Sequence, residues 1–228
     1  MISSTSKKIL IIYYSFSGQT NSLLRGLEKS LTAKGHEVVR EKLIPVEPLR
    51  FPLDGYSASI KMMLTTFFRR RMPILNISSQ CEQEFDLIIL AGPTWSYNPS
   101  GPILALLDRD GTKLFRGKSV IPLISCRGYW RLHWFGLRKK LKKCGAYVPN
   151  LMVFSHPNRE PWRTIGVFLK ISGKTPERSP LLKKYYKKYG HAKEQQKEAH
   201  RFGELISDAL STNTPLDSLD FRTPQALP

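Results

Sequence analysis

Apolar positions along the chain change their period several times. Residues 9–14 form an unbroken apolar run rich in β-branched and aromatic side chains, which predicts a strand buried on both faces. Leu23, Leu24, Leu27 and Leu31 then recur at helical spacing up to Gly35, a C-terminal stop signal. Residues 36–43, 86–91, 119–125 and 147–154 read as four further strands, and helical patterns occupy 102–107, 131–144 and 193–210. This alternation predicts an α/β fold: a doubly wound, five-stranded parallel sheet with helices on both faces, spanning residues 1–210 as one domain. Two segments exceed that minimum and read as insertions near the carboxyl edge of the sheet, at about 45–80 and 155–190. The first holds a helical apolar stripe of Tyr56, Ile60, Met63, Leu64, Phe67 and Phe68, ending in Arg69, Arg70 and Arg71. Residues 211–228 are aperiodic and proline-bearing, and are expected to form an extended or disordered tail.

Composition adds a charge to this outline. The chain of 228 residues is 41% hydrophobic, enough to bury a core, yet carries 36 Lys and Arg against 18 Asp and Glu, a formal charge of +18. Residues 127–201 hold 19 basic and four acidic residues, so a net +15 of that charge sits in one third of the sequence. An anionic partner is expected. Cys81, Cys126 and Cys144 lack metal-ligand spacing and are too few for a disulfide framework, so no metal site is expected. The six-residue apolar run after Lys7 and Lys8 is too short for a secretion signal, and no stretch approaches the roughly 18 apolar residues of a membrane span. A cytoplasmic chain is the expectation.

The candidate chemistry lies where the apolar pattern breaks. Ser15, Phe16, Ser17, Gly18, Gln19 and Thr20 separate the first strand from the first helix. In an open parallel sheet, ligands bind at such carboxyl-end loops, and hydroxyls beside the amides of a helix N-terminus suit a phosphate dianion. Gly18 would let the backbone curl around it. Neither G-x-x-x-x-G-K-[ST] nor G-x-G-x-x-G is present, so a nucleoside triphosphatase or dinucleotide fingerprint is unsupported. The stretch suits an ordinary βα turn with a hydroxyl cap equally well. After the third strand, "AGPTWSYNPSGP" sets Trp95 and Tyr97 among prolines, glycines and small polar residues, as in a rigid loop whose rings stack on a planar ligand. After the fourth comes "SCRGYW", a second glycine-bearing aromatic loop at the same end of the sheet.

A strand followed by [ST]-x-[ST]-G-x-T, with P-T-W-x-x-N-P after the third strand, resembles the flavodoxin-like family over roughly residues 8–154 and the last helix. The resemblance implies that Ser15, Ser17, Gly18, Gln19 and Thr20 hold the phosphate of FMN. It implies that Pro93, Thr94, Trp95, Ser96, Tyr97 and Asn98 line the flavin ring, with Cys126, Arg127, Gly128 and Tyr129 on its far side. The connection over residues 48–52, the "SCRGYW" loop and "REPWRTIGVFLKISGK" after the fifth strand look like a flavodoxin-related branch named for dialkylresorcinol biosynthesis. That likeness implies flavin-dependent redox work on a lipophilic ring substrate such as a quinone or resorcinol precursor. The chain departs from ordinary flavodoxins in its basic charge and its two insertions.

Several residues admit two readings. Cys126 is a small core residue or a redox neighbour of the ring. His133 shares a helical face with Trp130, Leu137, Leu141 and Cys144 and reads as packing, so no catalytic acid or base is assigned. The stripe from Tyr56 to Phe68 is a helix packed on the sheet or a lid over the ring. Trp162 to Ile171, with Lys183, Lys184, Lys187 and Lys188 interleaved by Tyr185, Tyr186 and Tyr189, suits an anionic membrane surface at the inner face, with nucleic acid or a second subunit as alternatives. The expected function is an FMN-dependent oxidoreductase for a lipophilic ring substrate. An electron carrier for a redox partner and a non-catalytic basic binding module are the alternatives.

Overall fold

The computed structural model describes residues 6–186 and 188–226. Lys187 of the basic run lies outside the described residues. The parallel sheet consists of β1 (Lys8–Tyr13), β2 (Glu37–Lys42), β3 (Leu87–Trp95), β5 (Val120–Cys126) and β6 (Met152–Ser155). A two-residue β4 (Asn98–Pro99) folds back antiparallel on β3. The order β2-β1-β3-β5-β6, parallel throughout, is the doubly wound arrangement the sequence predicts. Its strand order reverses between β1 and β3, and in such sheets the crevice outside the ends of these two strands is where ligands bind.

Alternate residues of the central strands feed two cores. Ile9, Ile11 and Tyr13 pack against α1 (Gln19–Ala33) and α7 (Lys193–Thr212) on one face. Leu10, Ile12 and Tyr14 pack on the other, toward α3 (Gly101–Arg109), α4 (Gly111–Phe115) and α5 (Trp130–Lys143). The α1–α7 crossing is close enough to demand glycine, since a Cβ on Gly203 would lie 2.0 Å from Ser30 Oγ and 2.6 Å from the Leu27 carbonyl oxygen. No helix among the described residues is long and apolar enough to cross a membrane.

Three expectations change in the structure. The fifth strand is shorter than residues 147–154: Tyr147 makes a lone bridge to Ser119, and the ladder resumes only at Met152, after Pro149, which has no N–H to donate. The C-terminal segment, as far as residue 226, is irregular but tied to the fold. Phe221 is buried 4.8 Å from the Phe202 ring, and Asn150 Nδ2 donates to the carbonyls of Leu216 and Leu219 at 3.0 and 2.7 Å. The first insertion does form α2 (Gly55–Phe67), but it is not packed by its apolar stripe. Ser59, Met62 and Thr66 face the protein, whereas Phe67 and Phe68 are 56% and 76% exposed. Besides the buried Met62, α2 is held by hydrogen bonds: Ser59 to Ser172 at 2.8 Å and Thr66 to Ser96 at 2.8 Å. Ser172 directly follows α6 (Trp162–Ile171), the helix of the second insertion, and the Tyr56 and Phe168 rings stack at 5.9 Å. The two insertions thus meet above the carboxyl ends of the strands.

Candidate functional site

The first loop is built as a cradle. Gly18, at φ 82° in the left-handed region, turns the chain into α1. Ser15 Oγ accepts from the Asn21 amide at 3.3 Å. Thr20 is buried, and the first-turn amides of α1 have no intrahelical acceptor. Ser15, Ser17, Gln19 and Thr20 line a cavity of about 90 Å³. Tyr189, from the second insertion, lines the same cavity; burial raises its phenol, while hydrogen bonding with Ser17 and Gln19 pulls the other way.

The segment after the third strand is a hairpin rather than a free loop. β3 continues through Trp95, and Ser96 and Tyr97, at φ 42° and 68°, make the two-residue turn into β4. Two successive positive φ values are what a tight right-twisted hairpin requires. This changes the role of Asn98, expected to line a ring. It is buried, its Nδ2 donates to the carbonyls of Thr66, Phe67 and Ser96, and its Oδ1 accepts from Arg69 Nε at 2.7 Å. Asn98 anchors the C-terminus of α2. Thr94, Trp95, Ser96 and Tyr97 do line a second cavity, of about 260 Å³.

The third loop closes the far side. Arg127 and Tyr129 line the larger cavity, and the Tyr129 ring meets Tyr97 edge to face at 5.4 Å. The Arg127 guanidinium lies 5.3 Å from the Tyr129 ring, and its Nε is buried without a hydrogen-bond partner. Cys126 is buried against Ser155 Oγ at 3.3 Å, and burial pushes its thiol up to about 11, so it is a neutral thiol at neutral pH. Gly128 lines neither cavity; the Arg163 guanidinium fills the space where a Cβ would stand, 2.6 Å away. Gly18 likewise shapes the first loop without lining it.

The structure therefore draws the remaining residues singled out in the sequence, from Ser15 through Pro93 and Cys126 to Tyr129, around two cavities that share Thr94, Trp95, Arg127, Val167 and Ile171. It adds residues of the two insertions, among them part of the stripe that the sequence admits as a lid. Met62, Met63, Leu64 and Phe67 of α2, with Val167, Phe168 and Ile171 of α6, roof the larger cavity. Around the two cavities lie three histidines that burial keeps neutral, of which His156 lines the smaller one. His133, held down to about 3, sits 2.7 Å from Thr94 Oγ1, so it packs and also orients a cavity residue. His156, also lowered to about 3, accepts from the Gly190 amide at 3.2 Å, and His191, lowered to about 4, meets Ser125 Oγ at 2.8 Å. A groove of about 740 Å³ runs along the other side of α2, but it shares only Met62, Thr66 and Trp95 with the roofed cavity and none of the loop at residues 15–20. No group of potential metal ligands occurs among the described residues.

No protein-family model matches the chain, and no curated protein matches it. Solved structures do. A flavoprotein in complex with FMN from Lactobacillus acidophilus NCFM superposes with a TM-score of 0.51 at 22% identity, covering 65% of this chain and 93% of that one. A flavodoxin from the domain Archaea gives 0.51 at 12% identity over 89% and 98% of the two chains. The rubredoxin oxygen:oxidoreductase of Desulfovibrio gigas gives 0.50 at 12% identity over 90% of this chain and 36% of that one. With the strand order β2-β1-β3-β5-β6, this likeness makes the fold of the chain flavodoxin-like.

Proposed function

We propose that the chain binds FMN and works as a flavin-dependent oxidoreductase. The observation that carries this reading is the continuity of two unlike cavities: one lined by hydroxyls at a helix N-terminus, the other by aromatic rings, with Thr94, Trp95 and Arg127 common to both. The donors fit a phosphate monoester: Ser15, Ser17 and Thr20 hydroxyls and the first-turn amides of α1 would hold it. Trp95, Tyr97 and Tyr129 would enclose a planar ring, and Arg127 Nε, buried and unpartnered, is a free donor for one of its polar atoms. The room is tight. Cofactor pockets span roughly 300–1,000 Å³, whereas the phosphate end measures about 90 Å³ with the Tyr189 side chain among its walls. Binding of a phosphate therefore displaces the Tyr189 phenol.

FMN, when bound, supplies electron or hydride transfer. The protein binds, orients and excludes water. The roof of Met62, Leu64, Val167, Phe168 and Ile171 is apolar, which favours the lipophilic ring substrate implied by the resemblance to the dialkylresorcinol branch over a polar metabolite.

Titration with FMN, FAD and riboflavin, followed by absorbance and calorimetry, tests the reading. FMN should bind more tightly than riboflavin by the worth of the phosphate contacts. The Ser17→Ala/Thr20→Ala double variant should lose about 1.5–3 kcal/mol for each hydroxyl bonded to a charged acceptor. A chain that takes up no flavin, or a double variant with unchanged FMN affinity, overturns the assignment of the loop.

A further inference from the structure

The sequence suggests the aliphatics of residues 162–171 as an outward docking face, but Val167, Phe168 and Ile171 turn inward and roof the cavity. The exposed apolar surface lies elsewhere. Ile60, Met63, Leu64, Phe67 and Phe68 stand on the outer side of α2, each more than 40% exposed. Phe67 and Phe68 meet edge to face at 5.5 Å, so this is a continuous patch rather than scattered side chains. Met63, Leu64 and Phe67 also line the larger cavity, together with the exposed rings of Tyr97 and Tyr129, so the patch forms the rim of the cavity mouth. An apolar patch of this kind marks a contact surface.

The charges beside it identify the occupant. Lys61 of α2 and Arg70 just after it lie along the groove side of the helix, bordering the patch opposite the cavity mouth, and Arg131 follows Tyr129 by two residues on the mouth side. Lys61, Arg70 and Arg131 are exposed and make no ion pair among the described residues. Aromatic and aliphatic side chains flanked by unpaired cations match an anionic lipid surface: the rings sit at headgroup depth and the cations meet the phosphates. A second copy of this chain would bring its own cations against these and gain no such complementarity. A nucleic acid has no use for Ile60, Met63 and Leu64.

We infer that the outer face of α2, with the Tyr97 and Tyr129 rim, docks on an anionic bilayer and opens the roofed cavity toward the lipid phase. The delivery of a lipid-dissolved substrate rests on the flavin reading above; the docking itself does not.

Co-sedimentation of the full chain with phosphatidylcholine vesicles, with and without phosphatidylglycerol, tests the inference. Binding should require phosphatidylglycerol and weaken as salt rises. It should fall about tenfold or more in Leu64→Ser/Phe67→Ser/Phe68→Ser, whose altered side chains are exposed and whose helix content should be unchanged. Lys61→Gln/Arg70→Gln, which leaves every apolar contact in place, should weaken it several-fold. Lys183→Gln/Lys184→Gln/Lys188→Gln, on the far basic lobe, should retain most of it. Equal binding with and without phosphatidylglycerol, no binding, or loss in the lobe variant with retention in both α2 variants would overturn the assignment. A dimer that the serine variant dissociates, or retention of RNA in place of vesicles, overturns it as well. Flavin uptake separates the two readings: a flavin-loaded chain that ignores vesicles removes the docking alone, and a vesicle-bound chain that takes no flavin removes the flavin reading alone.

Discussion

Arg127 concentrates the electrostatics of the candidate site in one side chain. Its Nε is buried and unpartnered, its guanidinium rests on Tyr129, and the cavity it lines contains no carboxylate. Glu160, an acid of the second insertion, is engaged by Arg163 at 3.1 Å; burial raises its carboxyl, but hydrogen bonds from Thr164 and Arg163 outweigh this and hold it below its usual value. A lone cation beside a ring favours whichever redox state carries more negative charge. Potentiometry of the FMN-loaded Arg127→Ala variant should therefore give a more negative two-electron potential, by on the order of 30 mV for each ~1.4 kcal/mol of lost stabilisation. An unchanged potential would mean that Arg127 serves the packing of Tyr129 and not the ring. Asn98 carries the opposite lesson. Its place in a resembling motif suggests ligand contact, but its four hydrogen bonds all go to α2, Ser96 and Arg69, and so it positions the lid helix.

Among the elements, the two insertions decide what the site can admit. α2 crosses the β3–β4 hairpin with its small polar side chains inward, and α6 lies against it through Ser172 and the Tyr56–Phe168 stack. The segment after α6 then returns Tyr189 to the first loop, where it stacks on Phe51 at 5.7 Å and lines the smaller cavity, proposed above as the phosphate end. Stopped-flow mixing with FMN should detect this. Tyr189→Ala should associate faster, up to about tenfold, because one hydrogen bond worth roughly 0.5–1.5 kcal/mol no longer has to break. Tyr189→Phe, which keeps the ring and loses the hydroxyl, should fall between wild type and Ala. Slower or weaker binding in the Ala variant would make Tyr189 a wall of the site instead of an occupant that leaves.

Across the whole molecule, burial of neutral histidines couples stability to pH. His133, His156 and His191 are lowered by desolvation to about 3, 3 and 4, whereas in the unfolded chain they titrate near 6.5. Below 6.5 the unfolded state takes up protons that the folded state refuses, so stability falls as pH falls. The contribution is about 1.4 kcal/mol per pH unit for each histidine once well below 6.5. Glu177 and Glu198, lowered from 4.5 in the fold, add to the loss only at lower pH, as each is protonated through its folded value. Denaturant melts between pH 6.5 and 4.5 thus isolate the histidines; a flat midpoint there would show that these rings are protonated in the fold. The charge distribution acts at this scale too. The net +15 of residues 127–201 falls on α5 and the second insertion, while Lys61 and Arg70 beside the apolar patch of α2 make no ion pair among the described residues.

How much was readable without the fold follows from the range of each interaction. The five strands, their helices and the loops at their carboxyl ends were legible because burial on both sheet faces writes continuous apolar runs, and helix faces write a 3.6-residue period, within ten or so residues of chain. The phosphate-type loop was legible as hydroxyls around Gly18, and the aromatic segments as rings among turn residues. Nothing local could show that the stripe on α2 faces outward, since periodicity locates an apolar face without saying what covers it. Nor could it show that Val167, Phe168 and Ile171 roof a cavity or that Tyr189 reaches Ser17, contacts between positions about 75 to 170 residues apart. The irregular C-terminus looked like a tail because a single buried Phe221 leaves no period to read. The sequence by itself determined the doubly wound scaffold and the residue types at its crevice. Only tertiary packing, by bringing two insertions together over that crevice, decided which side chains close it and which stand exposed at its mouth.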